Sequence, residues 1–211
     1  MQLIGMLDSP YVRRVAISLQ YLGVPFEHNP LSVFRNFDQF SAINPVVKAP
    51  TLICDGGEVL LDSTLILDYA ETLAGRSLMP REPDPRRHAL RAVGLALAAC
   101  EKSVQIVYEQ TLRPPEKQHA PWLERISGQL HSAYAALEVE LAHYPPGETR
   151  TTIDQVAISS AVAWLFTQDL LPGAVLPARY PVLAAHSARC EQLAEFRAAP
   201  HGAGTYPVAA R

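Results

Sequence analysis

Three short stretches in the first third of the chain bring together residue types that could do chemistry. The first is Ser9-Pro10. A serine before a proline is a good helix start, with Ser as N-cap and Pro in the first turn. A hydroxyl in that place can also donate a hydrogen bond to an anion, helped by the partial positive charge of the helix N-terminus. The second is Ala49-Pro50, where an apolar run begins; proline cannot donate to a ladder and belongs at a strand start. The third is Asp62-Ser63, a second helix start. Its N–H groups and Ser63 hydroxyl suit a carboxylate, and Asp62 suits an ammonium. Each pair also serves as an ordinary cap or strand start.

Elements must position these residues. Residues 2–6 and 26–31 are short apolar runs expected as strands. Between them Val12, Val15, Ala16, Leu19 and Leu22 recur at helical spacing until Gly23-Val24-Pro25. Residues 35–43 suggest a short helix, ended by Asn44-Pro45. Residues 51–54 and 58–61 flank Asp55-Gly56-Gly57, a hairpin signal. Leu65, Ile66, Tyr69 and Leu73 continue the helix opened at Asp62-Ser63, up to Gly75. The order β-α-β-α-β-β-α implies one mixed sheet flanked by helices. We expect this domain to span 1–76, with a proline-rich linker over 77–85 and a helical domain over 86–211.

Within the helical half, Leu90, Val93, Leu97, Cys100, Val104 and Val107 alternate by three and four, as do Leu123, Ile126, Leu130, Leu137 and Leu141. Residues 153–166 are apolar on nearly every side, which marks a central buried helix. Thr151-Thr152-Ile153-Asp154 has the spacing of a capping box at its start, with Asp in place of Glu. Two shorter helices are expected near 181–189 and 191–198.

Composition narrows the function classes. With 48% hydrophobic and 18% charged residues the chain is globular, and a net charge of -3 without a basic run argues against nucleic acid. The three cysteines are far apart with no C-x-x-C, and the seven histidines form no H-E-x-x-H. Neither a disulfide framework nor a metal site is therefore expected. A leader-like N-terminus and an apolar run of membrane-spanning length are both absent, so a cytoplasmic setting away from membranes is the expectation.

Ser9-Pro10-Tyr11-Val12-Arg13-Arg14 resembles the Ser-Pro-[Phe/Tyr]-Val-Arg segment of serine-type bacterial glutathione transferases, and more distantly that of the plant tau class. Asn44-Pro45-Val46-Val47-Lys48-Ala49-Pro50-Thr51-Leu52, Asp62-Ser63 and Thr151-x-x-Asp154 resemble further family stretches in the same order. The resemblance covers the whole chain. It implies a thioredoxin-like α/β domain followed by an all-α domain, glutathione as co-substrate, and a homodimer. It implies that Ser9 stabilises the glutathione thiolate and that the bond before Pro50 is cis, leaving the backbone of Ala49 to pair with the cysteinyl part. It also implies that Asp62 and Ser63 hold the γ-glutamyl end.

A cation is needed for the glycine carboxylate, and Arg35 is preferred over Lys48. Val104 and Tyr108, one turn apart on the long helix, are candidates to line a pocket for an apolar electrophile; a core or dimer face is the alternative. Position 9 is not cysteine, so mixed-disulfide chemistry is not implied. His186 stands where many family members carry tryptophan. The expected activity is conjugation of glutathione to small electrophiles. The rivals are a non-catalytic binding or regulatory protein and a glutathione-dependent isomerase or dehalogenase.

Overall fold

A computed structural model describes residues 1–202. The chain divides into two compact units, residues 1–78 with 192–202, and Met79–Glu191.

The first unit is built on a four-stranded sheet in the order β2-β1-β3-β4: β1 (Gln2–Ile4), β2 (Glu27–Asn29), β3 (Thr51–Ile53) and β4 (Val59–Leu61). β1 pairs parallel with β2, while β1–β3 and β3–β4 are antiparallel. The parallel pair needs a crossover, supplied by α1 (Pro10–Leu22). That helix ends as its glycine predicts: Gly23 sits at φ 72° and its N–H reaches back to the carbonyls of Gln20 and Leu19. α2 (Phe37–Ile43) follows β2, and α3 (Ser63–Ala74) follows the hairpin, stopped by Gly75 at φ 63°. Between sheet and helices Leu3, Ile4, Val15, Leu19, Phe40, Leu52 and Ile66 are fully buried. Each such apolar side chain stabilises the fold by about 1.5–3 kcal/mol.

The second unit is helical: α4 (Pro83–Leu112), α5 (Ala120–His143), α6 (Gln155–Leu170) and α7 (Pro181–Cys190). As its uniform hydropathy predicts, α6 is the central helix, buried along almost its whole length and packed against α4 and α7. Small residues on α4 (Ala96, Ala99) and α6 (Ala157, Ala161) are fully buried, which lets helices approach closely. One set of buried hydroxyls in this core is hydrogen-bonded. Tyr134 Oη donates to the Ala163 carbonyl (2.9 Å) and lies 2.6 Å from Thr167 Oγ1, which in turn lies 2.7 Å from Ser103 Oγ. Among the described residues no helix is long and apolar enough to cross a membrane.

Three local expectations are corrected. Pro83 and Pro85 do not belong to a linker; they form the first turn of α4, where a missing N–H is harmless. The N-cap of α6 is Asp154, whose carboxylate accepts from Ala157 N at 2.8 Å, rather than Thr151. Thr149 and Thr152 bond to each other in the turn before it. The last helix, α8 (Ala194–Ala198), packs on α1 and belongs to the first unit. Arg13 Nε donates to Ala199 O (2.8 Å) and Gln20 Nε2 to Glu195 O (2.9 Å).

Candidate functional site

Sheet register gathers the chemistry at one end. Ile4 stands opposite both Asn29 and Thr51, and Thr51 stands opposite Leu61. The C-terminal ends of β1, β2 and β4 and the start of β3 therefore share one edge. Four segments open from it: 5–9 into α1, 30–36 into α2, 48–50 into β3, and Asp62 into α3. These segments carry Ser9, Arg35, Lys48, Ala49, Asp62 and Ser63, so all six sequence-selected residues of the first unit lie at that end.

The loop before Ser9 is pinned tightly. Gly5 has φ 134°, and a Cβ placed on it would lie 2.6 Å from Val12 Cγ2 and 3.0 Å from Ala49 Cβ. Only glycine lets the 5–9 segment approach Ala49 so closely. Gly5 N donates to Asn29 O (3.0 Å), and His28 Nε2 lies 2.6 Å from Gly5 O. A carbonyl only accepts, so Nε2 carries the proton. Burial pushes the His28 imidazole below its ordinary value, with the Gly5 hydrogen bond acting the other way. Ser9, half-buried, caps α1: its Oγ accepts from Val12 N at 3.4 Å, a long contact that leaves the hydroxyl proton available.

On the facing segment the Ala49–Pro50 peptide is cis. Among the described residues, no backbone hydrogen bond engages the N–H or C=O of Ala49. Asp62 takes φ 73°, a region that aspartate enters more readily than most side chains. Its Oδ1 accepts from Thr64 N (2.9 Å) and its Oδ2 lies 3.5 Å from Lys48 Nζ. Lys48 and Asp62 thus form a surface ion pair, each about half exposed, while the exposed Arg35 places Nη2 3.1 Å from Met6 Sδ. Ser63 is buried, and its Oγ accepts from Arg14 Nη1 at 3.0 Å.

The Glutathione S-transferase, N-terminal domain model matches residues 3–78. A glutathione transferase family member from Pseudomonas fluorescens Pf-5, solved with bound S-(propanoic acid)-glutathione, is 31% identical to this chain. The match covers 94% of this chain and 98% of that one, with a TM-score of 0.78. The chain belongs to the glutathione transferase superfamily. Its likeness to relatives extends in two directions. The GST-like protein YibF of Escherichia coli K12, described as uncharacterized, is 27% identical over 82% of this chain and 86% of its own. A bacterial zeta-class glutathione transferase, maleylpyruvate isomerase, is 25% identical, covering 97% of this chain and 98% of its own, with a TM-score of 0.73. Thioredoxin-like and all-helical halves are the architecture these superfamily members share with the chain.

Val104 is half-buried on α4, and Tyr108, one turn on, is exposed. A cavity of about 140 Å3 within the helical unit is lined by Pro85, His88, Glu140, Tyr144 and Asp154 among others, and neither Val104 nor Tyr108 is one of its walls. Cysteine chemistry finds no support: Cys54, Cys100 and Cys190 are all buried, and burial pushes the Cys190 thiol up to about 12. Sequence reasoning passed over Gly5, His28 and Arg14. The Ser-Pro-Tyr-Val-Arg-Arg segment contained Arg14, but nothing local says that its guanidinium turns inward.

Proposed function

We propose that this protein binds glutathione at the sheet end described above and transfers its thiolate to small apolar electrophiles. The observation that carries the proposal is the convergence of two capped helix starts, Ser9 and Asp62-Ser63, with the cis Ala49–Pro50 segment. A thiol of pKa about 8.5 is mostly protonated at neutral pH. Ser9, as in serine-type family members, would donate its hydroxyl proton to the sulfur anion at the N-terminus of α1. The thiol proton leaves to solvent. Ala49 N–H and C=O pair with the cysteinyl backbone. The α3 start and Ser63 hold the γ-glutamyl carboxylate, and Asp62, which here already accepts an ammonium from Lys48, takes the ligand's ammonium. Arg35, in preference to Lys48, is assigned to the glycine carboxylate.

Val104 and Tyr108 are assigned to the electrophile side, and bound nucleophile and electrophile then react by proximity. The family reading also carries a cytoplasmic homodimer that detoxifies small molecules, with the boundaries of its two domains near 77–85. A second reading is glutathione-dependent isomerisation, favoured by the likeness to maleylpyruvate isomerase.

The test is calorimetric titration with millimolar glutathione, followed by turnover of a model aryl halide and of a maleyl substrate. Binding with consumption of glutathione supports conjugation. Binding with glutathione regenerated supports the isomerase. No association at millimolar tripeptide overturns the proposal.

A further inference from the structure

The cavity of about 140 Å3 in the helical unit has walls of one electrostatic character. Four of its lining residues are prolines: Pro80, Pro85, Pro145 and Pro146. A proline has no backbone N–H, so none of these four amides can greet an anion. Pro83 and Pro85 also remove two N–H groups from the first turn of α4, a place that otherwise attracts negative charge. From the opposite side comes the end of α5, with Tyr144 as its C-cap, where carbonyls go unpaired and the helix dipole is negative.

The carboxylates of Glu140 and Asp154 complete the wall. Glu140 is only 8% exposed. It accepts from Arg91 Nε at 2.9 Å, but Arg91 is not a wall residue and lies 61% exposed. His88 Nδ1 lies 2.8 Å from the other Glu140 oxygen, so that nitrogen carries the proton and Nε2 of the neutral ring is left to accept. Two of about four lone-pair positions on Glu140 remain open. Asp154 spends Oδ1 on Ala157 N, which answers the positive end of α6. Burial pushes its carboxyl above the ordinary aspartate range, against the opposing hydrogen bonds from Ala157 and Val156 N–H, so its anion would gain from a nearby cation. Ala89, Ala92 and Val156 supply apolar floor, and the Tyr144 ring, stacked on His88 at 3.7 Å, adds an aromatic surface that attracts cations.

We propose that this cavity binds a compact organic cation: an ammonium carried on an apolar body of about six heavy atoms. The size follows from the volume, close to the ~150 Å3 that accommodates benzene in an engineered core. Among the described residues no group of three or more His, Cys, Asp or Glu side chains is set to hold a metal ion, which favours an organic cation. The acceptor-rich wall disfavours carboxylates and phosphates. The site makes no use of glutathione and stands apart from the function proposed above.

The experiment titrates the full chain, followed by two-dimensional NMR at neutral pH, with piperidine, there present as its cation, and with the neutral isostere tetrahydropyran. The cation is expected to shift the Ala89, Ala92 and Val156 signals saturably and to bind at least about tenfold tighter than the ether. Asp154→Asn keeps a capping oxygen and loses the charge. It should weaken the cation about tenfold, the scale of one hydrogen bond to a charged group, and leave the ether unchanged. Unchanged affinity for the cation in Asp154→Asn overturns the proposal. Should that variant fail to fold, the wild-type comparison decides alone: equal affinity for the two probes overturns the cation preference. Absence of saturable shifts with the cation, or shifts confined to residues away from the cavity, overturns the site itself.

Discussion

Replacing Ser9 by alanine separates two roles of one side chain. As a cap, Ser9 accepts from Val12 N at 3.4 Å. That is well beyond the usual 2.9–3.0 Å or so, so losing it should lower stability by only about 0.5–1 kcal/mol, the weak end of the range for caps. As donor to a thiolate the same hydroxyl makes a hydrogen bond to a charged group, worth about 1.5–3 kcal/mol. One pKa unit corresponds to about 1.4 kcal/mol, so the bound thiol should rise by about 1–2 units in Ser9→Ala. At neutral pH, where the thiolate fraction limits the rate, conjugation should fall about 10- to 100-fold. The α1 terminus remains in the variant, so part of the depression should persist. Ultraviolet absorbance of bound thiolate, followed against pH, reads the shift directly. Urea denaturation of the apo protein reads the cap. An unchanged bound-thiol pKa would remove Ser9 from the chemistry, whatever happened to stability.

Three further outcomes are expected. Asp62→Asn keeps a side-chain oxygen for Thr64 N and tolerates φ 73°, but loses its charge; glutathione affinity should drop about tenfold. Its urea midpoint should barely move, because the Lys48 pair is about half exposed and worth at most ~1 kcal/mol; equal affinity in the variant would reject the ammonium role. Gly5→Ala forces a Cβ to 2.6 Å from Val12 Cγ2 at φ 134° and should destabilise the first unit by more than about 2 kcal/mol in denaturant titrations. A loss below about 0.5 kcal/mol would mean that the loop relaxes at little expense. Burial depresses the folded-state pKa of His28 below the unfolded value of about 6.5, so the unfolded chain takes up the proton first. Stability is fully present above about 6.5 and declines as pH falls from there towards the folded value. In His28→Gln that acid slope should flatten, and an identical slope in both proteins would exclude His28 as its source.

What the sequence revealed and what it hid divide by range. Caps are local chemistry, so Ser9-Pro10 with Gly23 and Asp62 with Gly75 bounded α1 and α3 closely. Residues 153–166 were legible as a central helix because apolar side chains all round leave a helix only the interior. Local motifs misled where one pattern allowed two registers. Asp154 satisfies the third position of a capping box and also the cap itself, and the shorter turn after Thr149 decides for the cap. Pro83 and Pro85 read as breakers, yet proline breaks a helix only beyond its first turn. Gly5 and His28 were invisible because their roles exist only once β1 lies parallel to β2 and against the approach to β3.

The same distinction explains α1, where reading polarity as exposure fails. The helical periodicity runs through Val12, Val15, Ala16, Leu19 and Leu22, which would leave Arg13 and Arg14 towards solvent. Instead both are buried, at 1% and 3% exposure. Burying a guanidinium is tolerated only where oxygen acceptors are fixed in place. Arg13 finds the carbonyls of Phe196 within α8 and Ala199 just past its end, with the Phe196 ring 5.8 Å from its guanidinium carbon. Arg14 finds the hydroxyls of Ser63 and Thr64. One helix is thereby clamped on two sides by elements far away in sequence, while its N-terminus carries Ser9. Thiolate stabilisation needs a donor that stays put while charge develops, because a mobile hydroxyl would reorganise at the cost of the advantage. The buried arginines supply that rigidity, so removing either should disturb the position of Ser9 more than its long cap bond to Val12 could.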